Sequence, residues 1–293
     1  MAHLGVLSAL DREKIPIDLI AGTSMGSLVA AAYAQAPRSD RVIDRFRGYL
    51  ESKEFQKASL EFLHNHSQNS KPSFAGIFQR FAAFIRRGVF YSQSLTKKAP
   101  ISEEIFFQNV DFLLAGGSFE ETQVPLAVVA LDLKSAEEVV LREGPLTKAV
   151  SASCAIPGIL PPVVIGDRHL VDGGWINRVP VGPVRKMGAD LVIAVDVAED
   201  IEETRDYDTG LDIVLRAYDI TQNSLSQCQL READMVIRPD VSGIHWSDFG
   251  HLDDCLRAGE EAVNDKRDEI RRLIRRKKVR KAFFLPLGPA SSL

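Results

Sequence analysis

The pattern Gly-x-Ser-x-Gly at residues 22–26 is the feature that most constrains how this chain can fold. An apolar stretch typical of a buried strand precedes it at residues 17–21, and an alanine-rich, helix-forming stretch follows at residues 28–34. A serine between two glycines at a strand-to-helix turn is typical of a nucleophile elbow. Gly22 and Gly26 leave room for close approach of chain and substrate, and the turn places Ser24 at the positive end of the following helix.

A second short motif, Asp172-Gly173-Gly174, follows a predicted hairpin with strands at residues 163–165 and 169–171. The two glycines allow a tight turn and leave space for a substrate beside Asp172. Each motif also has a purely structural interpretation. Ser24 would then cap a helix at a tight turn, and Asp172 would be a strand-end turn residue.

The composition is that of an ordinary globular protein and excludes several classes. The chain has 293 residues, 45% apolar and 26% charged, with a net charge of -4, so it lacks the basic signature of nucleic-acid binding. Its three cysteines form no Cys-x-x-Cys pair, which indicates reduced thiols rather than a disulfide framework or a zinc site. We therefore predict no metal, no cofactor and no nucleic-acid partner. The longest uncharged run, residues 19–37, contains the elbow and is not a membrane span.

Strand-like and helix-like stretches alternate along most of the chain, which predicts an α/β layer fold with a largely parallel sheet. The further strands are predicted at residues 124–131, 138–142, 189–197 and 235–237, and the further helices at residues 39–63, 146–153, 212–232 and 253–278. We predict a single domain over residues 1–293, with a helical insertion near residues 39–112. The aromatic stripe at residues 74–89 has two interpretations. It is structural packing, in the core or in a cap helix, or it is functional, as an acyl-chain wall or a membrane-facing lid.

Several segments together resemble the patatin-like phospholipase family. They are residues 3–7, 21–26, 151–158, 161–162 and 171–181, and residues 234–240 and 258–262 resemble its bacterial members. The resemblance implies a three-layer α/β/α fold and a serine hydrolase that cleaves lipid acyl esters through an acyl-serine intermediate. It also implies a dyad, with Ser24 as nucleophile and Asp172 as general base. In a dyad the carboxylate must lie within hydrogen-bond reach of the hydroxyl and have a raised basicity.

The sequence is also compatible with two other functions. An α/β-hydrolase triad needs a histidine after the acid, and only His245 and His251 lie beyond Asp172. The other alternative is a catalytically impaired protein of the same fold that binds lipid or a partner.

The oxyanion hole raises a related question. In the family, a strand and a glycine-rich loop precede the first helix, and the loop amides help to form this hole. The residues before His3 contain neither, so the Met25 N–H is the oxyanion donor that remains. One hypothesis places the true start upstream of Met1, and the other is the impaired protein.

The C-terminal region near residues 265–293 is rich in lysine and arginine, with apolar residues interspersed. Its segment 265–285 is either a solvated helix face or a basic amphipathic segment that docks on an anionic membrane. We predict a cytoplasmic protein with an acyl-ester or lipid substrate and peripheral membrane contact. The sequence leaves the head group, acyl position and chain length of the substrate undefined.

Overall fold

A computed structural model describes residues 1–53, 55, 103–198, 210–244 and 249–284. The aromatic stripe at residues 74–89, most of the predicted insertion and the tail from residue 285 lie outside these residues. The described helices are α1 (Ala2–Arg12), α2 (Met25–Gln35), α3 (Ser39–Leu50), α4 (Glu103–Leu114), α5 (Leu146–Ser153), α6 (Val181–Lys186), α7 (Gly210–Leu230) and α8 (Leu252–Phe284). The strands are β1 (Ile20–Thr23), β2 (Leu126–Asp132), β3 (Glu137–Leu141), β4 (Val163–Ile165), β5 (Arg168–Asp172), β6 (Ile193–Val195) and β7 (Met235–Ile237).

The predicted α/β fold class is confirmed, with mixed strand pairing in the described sheets. Strand β2 pairs with β1 in parallel and with β3 and β5 in antiparallel orientation, and β4 extends the sheet beyond β5. Strands β6 and β7 form a separate parallel pair. The antiparallel pairs β2–β3 and β4–β5 arise because short turns return the chain as hairpins.

Several element bounds differ from the prediction. Strand β1 begins at Ile20 rather than at residue 17, because its ladder with β2 starts where the Ile20 N–H donates to the Pro125 carbonyl at 3.0 Å. Strand β6 covers only Ile193–Val195 of the predicted residues 189–197. Helix α3 ends at Leu50, and α8 continues to Phe284, beyond the predicted end at residue 278.

Helix α2, which follows Ser24, is buried on all sides. Its residues from Ser27 to Ala34 are all buried, and they pack with side chains of α1, α3, α4, β2 and α5 in one hydrophobic cluster. Val42 and Phe46 of α3 and Val110 of α4 belong to this cluster. The two ends of the predicted insertion are therefore part of the core that supports α2.

Helix α8 packs against α1 through a close contact between glycines. A Cβ added at Gly5 would lie 2.0 Å from the Leu256 carbonyl oxygen, and one added at Gly259 would lie 2.2 Å from that of Ala2. Only glycine allows the two helix backbones to approach so closely. The first and the last described helices are thus joined, and no described helix combines the length and apolarity needed to cross a bilayer.

Candidate active site

Strand register brings the two sequence motifs together at the middle of β2. Thr23, the last residue of β1, is paired with Val129 in parallel orientation. Asp172, the last residue of β5, is paired with Ala130 in antiparallel orientation. Strands β1 and β5 therefore end on opposite sides of β2, beside adjacent residues, and the residue after β1 is Ser24.

Ser24 has a backbone conformation that residues with side chains rarely adopt. Its φ is 53° and its ψ is -130°, and such angles persist only where surrounding contacts impose them. The Ser24 N–H donates to the Ser153 hydroxyl oxygen at 2.9 Å, and this hydroxyl donates to the Val129 carbonyl at 2.6 Å. The Ser24 carbonyl accepts a hydrogen bond from the Ser27 hydroxyl at 2.7 Å. These bonds hold the turn on β2, α5 and α2.

The Ser24 hydroxyl donates directly to the carboxyl group of Asp172. The distance from Ser24 Oγ to Asp172 Oδ2 is 2.6 Å. The other carboxyl oxygen, Oδ1, accepts the Gly174 N–H at 2.7 Å, and this bond orients the carboxyl group. A hydroxyl in this position can transfer its proton to the carboxylate without an intervening side chain.

The environment of Asp172 makes it a stronger base than an ordinary aspartate. The residue is only 5% exposed. Burial raises the pKa of Asp172 to about 6, although the hydrogen bonds from Ser24 and Gly174 and the positive charge of Arg178 act in the opposite direction. At neutral pH the group is therefore mostly ionised but accepts a proton more readily than a solvated aspartate.

One short segment at the C-terminal end of α5 contacts both Ser24 and Asp172. Ser153 accepts the Ser24 N–H, and the carbonyl of Ala155 accepts the Asp172 N–H at 3.0 Å. Between them, the Sγ of Cys154 lies 3.9 Å from the Ser27 hydroxyl oxygen. Burial, followed by the charge of Asp172, raises the pKa of the Cys154 thiol, so this cysteine is a packing residue and not a thiolate nucleophile at neutral pH.

The four motif glycines differ in how much space surrounds them. A Cβ at Gly22 would lie 2.4 Å from the Gly26 carbonyl oxygen, and a Cβ at Gly173 would lie 2.3 Å from the Val129 carbonyl oxygen. At Gly174 the nearest atom is Asp172 Oδ1 at 3.0 Å. At Gly26 it is Nε2 of His3, at an ordinary contact distance of 3.6 Å. Gly22 and Gly173 are thus required by backbone packing, whereas Gly26 is not.

Met25 is the first residue of α2, and its N–H therefore has no acceptor within the helix. An N–H at this position, next to Ser24 in sequence, is suited to bind a developing oxyanion. His3 faces the same end of α2, and burial lowers its pKa to about 3, so its imidazole is neutral.

Of the two histidines considered for a triad, the structure describes His251, and its side chain pairs with a different carboxylate. Nδ1 of His251 lies 2.9 Å from Asp254 Oδ2 at the exposed start of α8. His245 lies outside the described residues. Because Ser24 bonds directly to Asp172, the place that a triad histidine occupies between serine and acid is taken up by that bond. Within the described ranges, no group of three or more His, Cys, Asp or Glu side chains is arranged to hold a metal ion.

Sequence reasoning missed two residues of the site. Ser153 lies in a segment that the sequence singled out only by resemblance, and its contact with Ser24 spans 129 positions. Arg178, six residues after Asp172, acts electrostatically on that carboxyl group. Neither contact has a local sequence signal, because both depend on how α5 and the loop after β5 fold back onto β2.

Comparisons with known proteins agree with this geometry. The patatin-like phospholipase family matches residues 1–185. A patatin-like phospholipase domain-containing protein of Caenorhabditis elegans is 32% identical over 212 residues, which are 71% of this chain and 13% of that protein. Patatin-like phospholipase domain-containing protein 6 of Homo sapiens is 29% identical over 203 residues, 69% of this chain and 13% of that protein.

A bacterial relative aligns over more of the chain. An uncharacterized NTE family protein of Mycobacterium tuberculosis is 26% identical over 291 residues, covering 90% of this chain and 43% of that protein. The chain thus spans less than half the length of each of these three relatives. The family match includes both Ser24 and Asp172, and on this match the chain belongs to the patatin-like phospholipase family.

Proposed function

We propose that this protein hydrolyses acyl esters of lipids, with Ser24 as the nucleophile and Asp172 as the general base. The observation that carries the proposal is the 2.6 Å hydrogen bond between Ser24 Oγ and Asp172 Oδ2 at a strained strand-to-helix turn. Membership of the patatin-like phospholipase family supports lipid acyl esters as the substrate class. The proposal requires no metal or cofactor.

The proposed reaction has two steps. In the first, Ser24 Oγ attacks the ester carbonyl carbon while its proton passes to Asp172 Oδ2, and the carbonyl oxygen becomes an oxyanion near the Met25 N–H. The carbon–oxygen bond to the alcohol then breaks, and the alcohol leaves with the proton held by Asp172. In the second step, Asp172 takes a proton from water while the water oxygen attacks the carbonyl carbon of the acyl-serine. The bond from this carbon to Ser24 Oγ then breaks, Asp172 returns the proton to Ser24 Oγ, and the fatty acid is released.

The test is hydrolysis of a fluorogenic acyl ester by the full chain and three variants. We expect Ser24→Ala and Asp172→Asn each to lower kcat by at least about a thousandfold, because nucleophile and base act as one unit. The double variant His245→Asn/His251→Asn is the control for the triad and should retain activity within a few fold. Full activity of Ser24→Ala would contradict the dyad. A folded wild type without Ser24-dependent hydrolysis would favour the impaired, lipid-binding alternative.

We also propose that the chain forms one patatin-like domain with residues 39–112 as a helical insertion. The packing of α1 against α8 and the contribution of α3 and α4 to the core around α2 support this proposal.

We further propose peripheral contact with anionic membranes through part of the basic segment at residues 265–285. Four of its described basic side chains form contacts with other parts of the protein. Lys266 donates to the Val236 carbonyl, Arg267 and Arg271 pair with Glu13, and Lys277 pairs with Asp234. Among the described side chains of this segment, Arg272, Arg275 and Arg276 are exposed and have no ion pair with another element, and they support docking.

A further inference from the structure

Arg178 is a half-buried arginine beside the Ser24–Asp172 pair. Its Cγ lies 4.0 Å from the position that a Cβ on Gly174 would occupy, and Gly174 itself donates its N–H to Asp172. The positive charge of Arg178 also acts on the Tyr218 hydroxyl of α7. Arg178 and Tyr218 thus lie together next to the carboxyl group that receives the serine proton.

The backbone that carries Arg178 is held on both sides. The carbonyls of Trp175 and Ile176 accept hydrogen bonds from the Gln222 and Gln229 amides of α7, at 2.8 and 2.9 Å. Asn177 is buried, and its side chain donates to Glu138 Oε2 at 2.6 Å. Its carbonyl accepts the Thr23 hydroxyl at 2.9 Å, which connects the loop to the elbow.

The aromatic rings of Trp175 and Tyr218 add to this rigidity. Their centroids lie 4.3 Å apart, so the loop after β5 is stacked on α7. The backbone that carries Arg178 therefore belongs to a loop whose position is fixed by α7. A binding group held in this way loses little conformational entropy when a ligand binds.

The charge of Arg178 has no dedicated counter-ion in the part of the chain that the structure describes. Arg185 and Arg271 pair with carboxylates, whereas Arg178 forms no salt bridge with a described residue. Arg178 and the carboxyl group of Asp172 interact electrostatically, but Asp172 gives up its own charge when it accepts the serine proton. A partly desolvated guanidinium in this position is stabilised by an anion brought by the substrate.

We infer that Arg178, assisted by the Tyr218 hydroxyl, binds the phosphate of the substrate head group and sets a preference for phosphate-bearing lipids over neutral acylglycerols. The planar guanidinium donates two parallel hydrogen bonds to phosphate oxygens, and the hydroxyl donates a third. This inference rests on the proposed hydrolase function, since it names the head group that the same site takes.

The first test compares two substrates with the same acyl chain, 1-palmitoyl-lysophosphatidylcholine and 1-monopalmitoylglycerol, both at monomeric concentrations. The quantity measured is the ratio of their kcat/KM values. We expect Arg178→Gln to lower this ratio about tenfold to a hundredfold, the range for hydrogen bonds to a charged group. If the substitution also changes the basicity of Asp172, it changes kcat/KM for both lipids alike, and this effect cancels in the ratio of the two values.

Three further variants sharpen this test. Arg178→Lys keeps the positive charge but cannot donate two parallel hydrogen bonds, so it should give an intermediate ratio of kcat/KM values. Tyr218→Phe should lower the ratio less than Arg178→Gln does. Arg231→Gln, which removes an exposed arginine just after α7, is the matched control and should leave the ratio unchanged. An unchanged ratio in Arg178→Gln overturns the inference.

A binding experiment separates this inference from the hydrolase proposal. Calorimetry measures the affinity of Ser24→Ala, with and without Arg178→Gln, for dodecylphosphocholine and for the uncharged dodecyl maltoside. We expect Arg178→Gln to weaken only the phosphocholine detergent, by about tenfold or more. If no variant hydrolyses either lipid but this loss is seen, the hydrolase proposal fails and the phosphate site stands. Equal affinities with and without Arg178 overturn the site whatever the activity.

Discussion

At the scale of single residues, the protein stores unfavourable free energy in one buried carboxyl group. The pKa of Asp172 is about 6 in the folded protein, against 3.8 for an unperturbed aspartate, because burial disfavours its charged form. Such an arrangement persists in a stable fold only if the rest of the structure compensates for it. The cost has two measurable consequences, one for activity and one for stability.

The activity should depend on the ionisation of this group. Because only the carboxylate accepts the Ser24 proton, kcat/KM for an uncharged acyl ester should rise with pH, reach half of its maximum near pH 6 and stay level above it. The measurement is initial rate against pH, with circular dichroism at each pH to show that the protein stays folded. A profile centred near pH 4, the range of a solvated aspartate, would contradict a buried base.

The stability should show the opposite trend. Since the folded pKa lies above the unfolded one, the folded state binds the proton more tightly, and ionisation costs stability as the pH rises from about 4 to about 6. Asp172→Asn has no such cost, so its stability relative to wild type should increase over this interval by up to about 3 kcal/mol and then level off. Urea unfolding between pH 4 and pH 8 measures the difference. Ser24→Ala keeps the carboxyl group and, as the control, should not gain stability in this way.

At the scale of secondary-structure elements, the turn between β1 and α2 depends on backbone packing. Gly22→Ala would place its Cβ 2.4 Å from the carbonyl oxygen of Gly26, a backbone atom that cannot move without distorting the helix. Gly26→Ala meets only the His3 ring at 3.6 Å. The two glycines of one motif thus have different physical roles.

We expect Gly22→Ala to lower the free energy of unfolding by about 3 kcal/mol or more, at or beyond the upper end of the usual cost of overpacking. The cost is high because the new Cβ would clash with backbone atoms, which cannot rotate away as a side chain can. Gly26→Ala should change it by less than about 1 kcal/mol, since alanine is also the better helix former. Chemical unfolding followed by circular dichroism compares the two variants. Equal destabilisation of both would show that the turn is not limited by this clash.

At the scale of the whole molecule, α8 has a structural role that any test of membrane contact must respect. It packs on α1 through Gly5 and Gly259, and its residues Arg271 and Lys277 pair with Glu13 and Asp234. Deleting residues 271–293 would remove the ion pairs of Arg271 and Lys277 together with the exposed charges. Point substitutions of the exposed arginines separate the two effects.

The triple variant Arg272→Gln/Arg275→Gln/Arg276→Gln should bind vesicles containing phosphatidylserine at least about tenfold more weakly, since each basic residue near an anionic surface contributes about 1 kcal/mol. The loss should shrink at high salt. The triple variant Arg142→Gln/Lys148→Gln/Arg231→Gln removes the same charge from exposed positions outside α8 and serves as the control. Equal binding by the two triple variants in a sedimentation assay would contradict docking through α8.

Local pattern was sufficient to predict much of this protein. Helix α5 and strand β7 have the predicted bounds, because apolar periodicity and flanking turn residues act over a few positions. The same local reasoning singled out Ser24 and Asp172, since glycines at a tight turn report on the backbone immediately around them. The family resemblance then connected the two motifs, and the family match includes both.

Tertiary structure alone decided the properties on which chemistry depends. Ser24 and Asp172 are 148 positions apart, and their 2.6 Å contact exists because β1 and β5 both end beside the middle of β2. The raised pKa of Asp172 follows from the burial of its carboxyl group, and the support from Ser153 and the position of Arg178 follow from long-range packing. Residue types and their order determine local backbone geometry, whereas burial, charge environment and distance are set by elements that are remote in sequence.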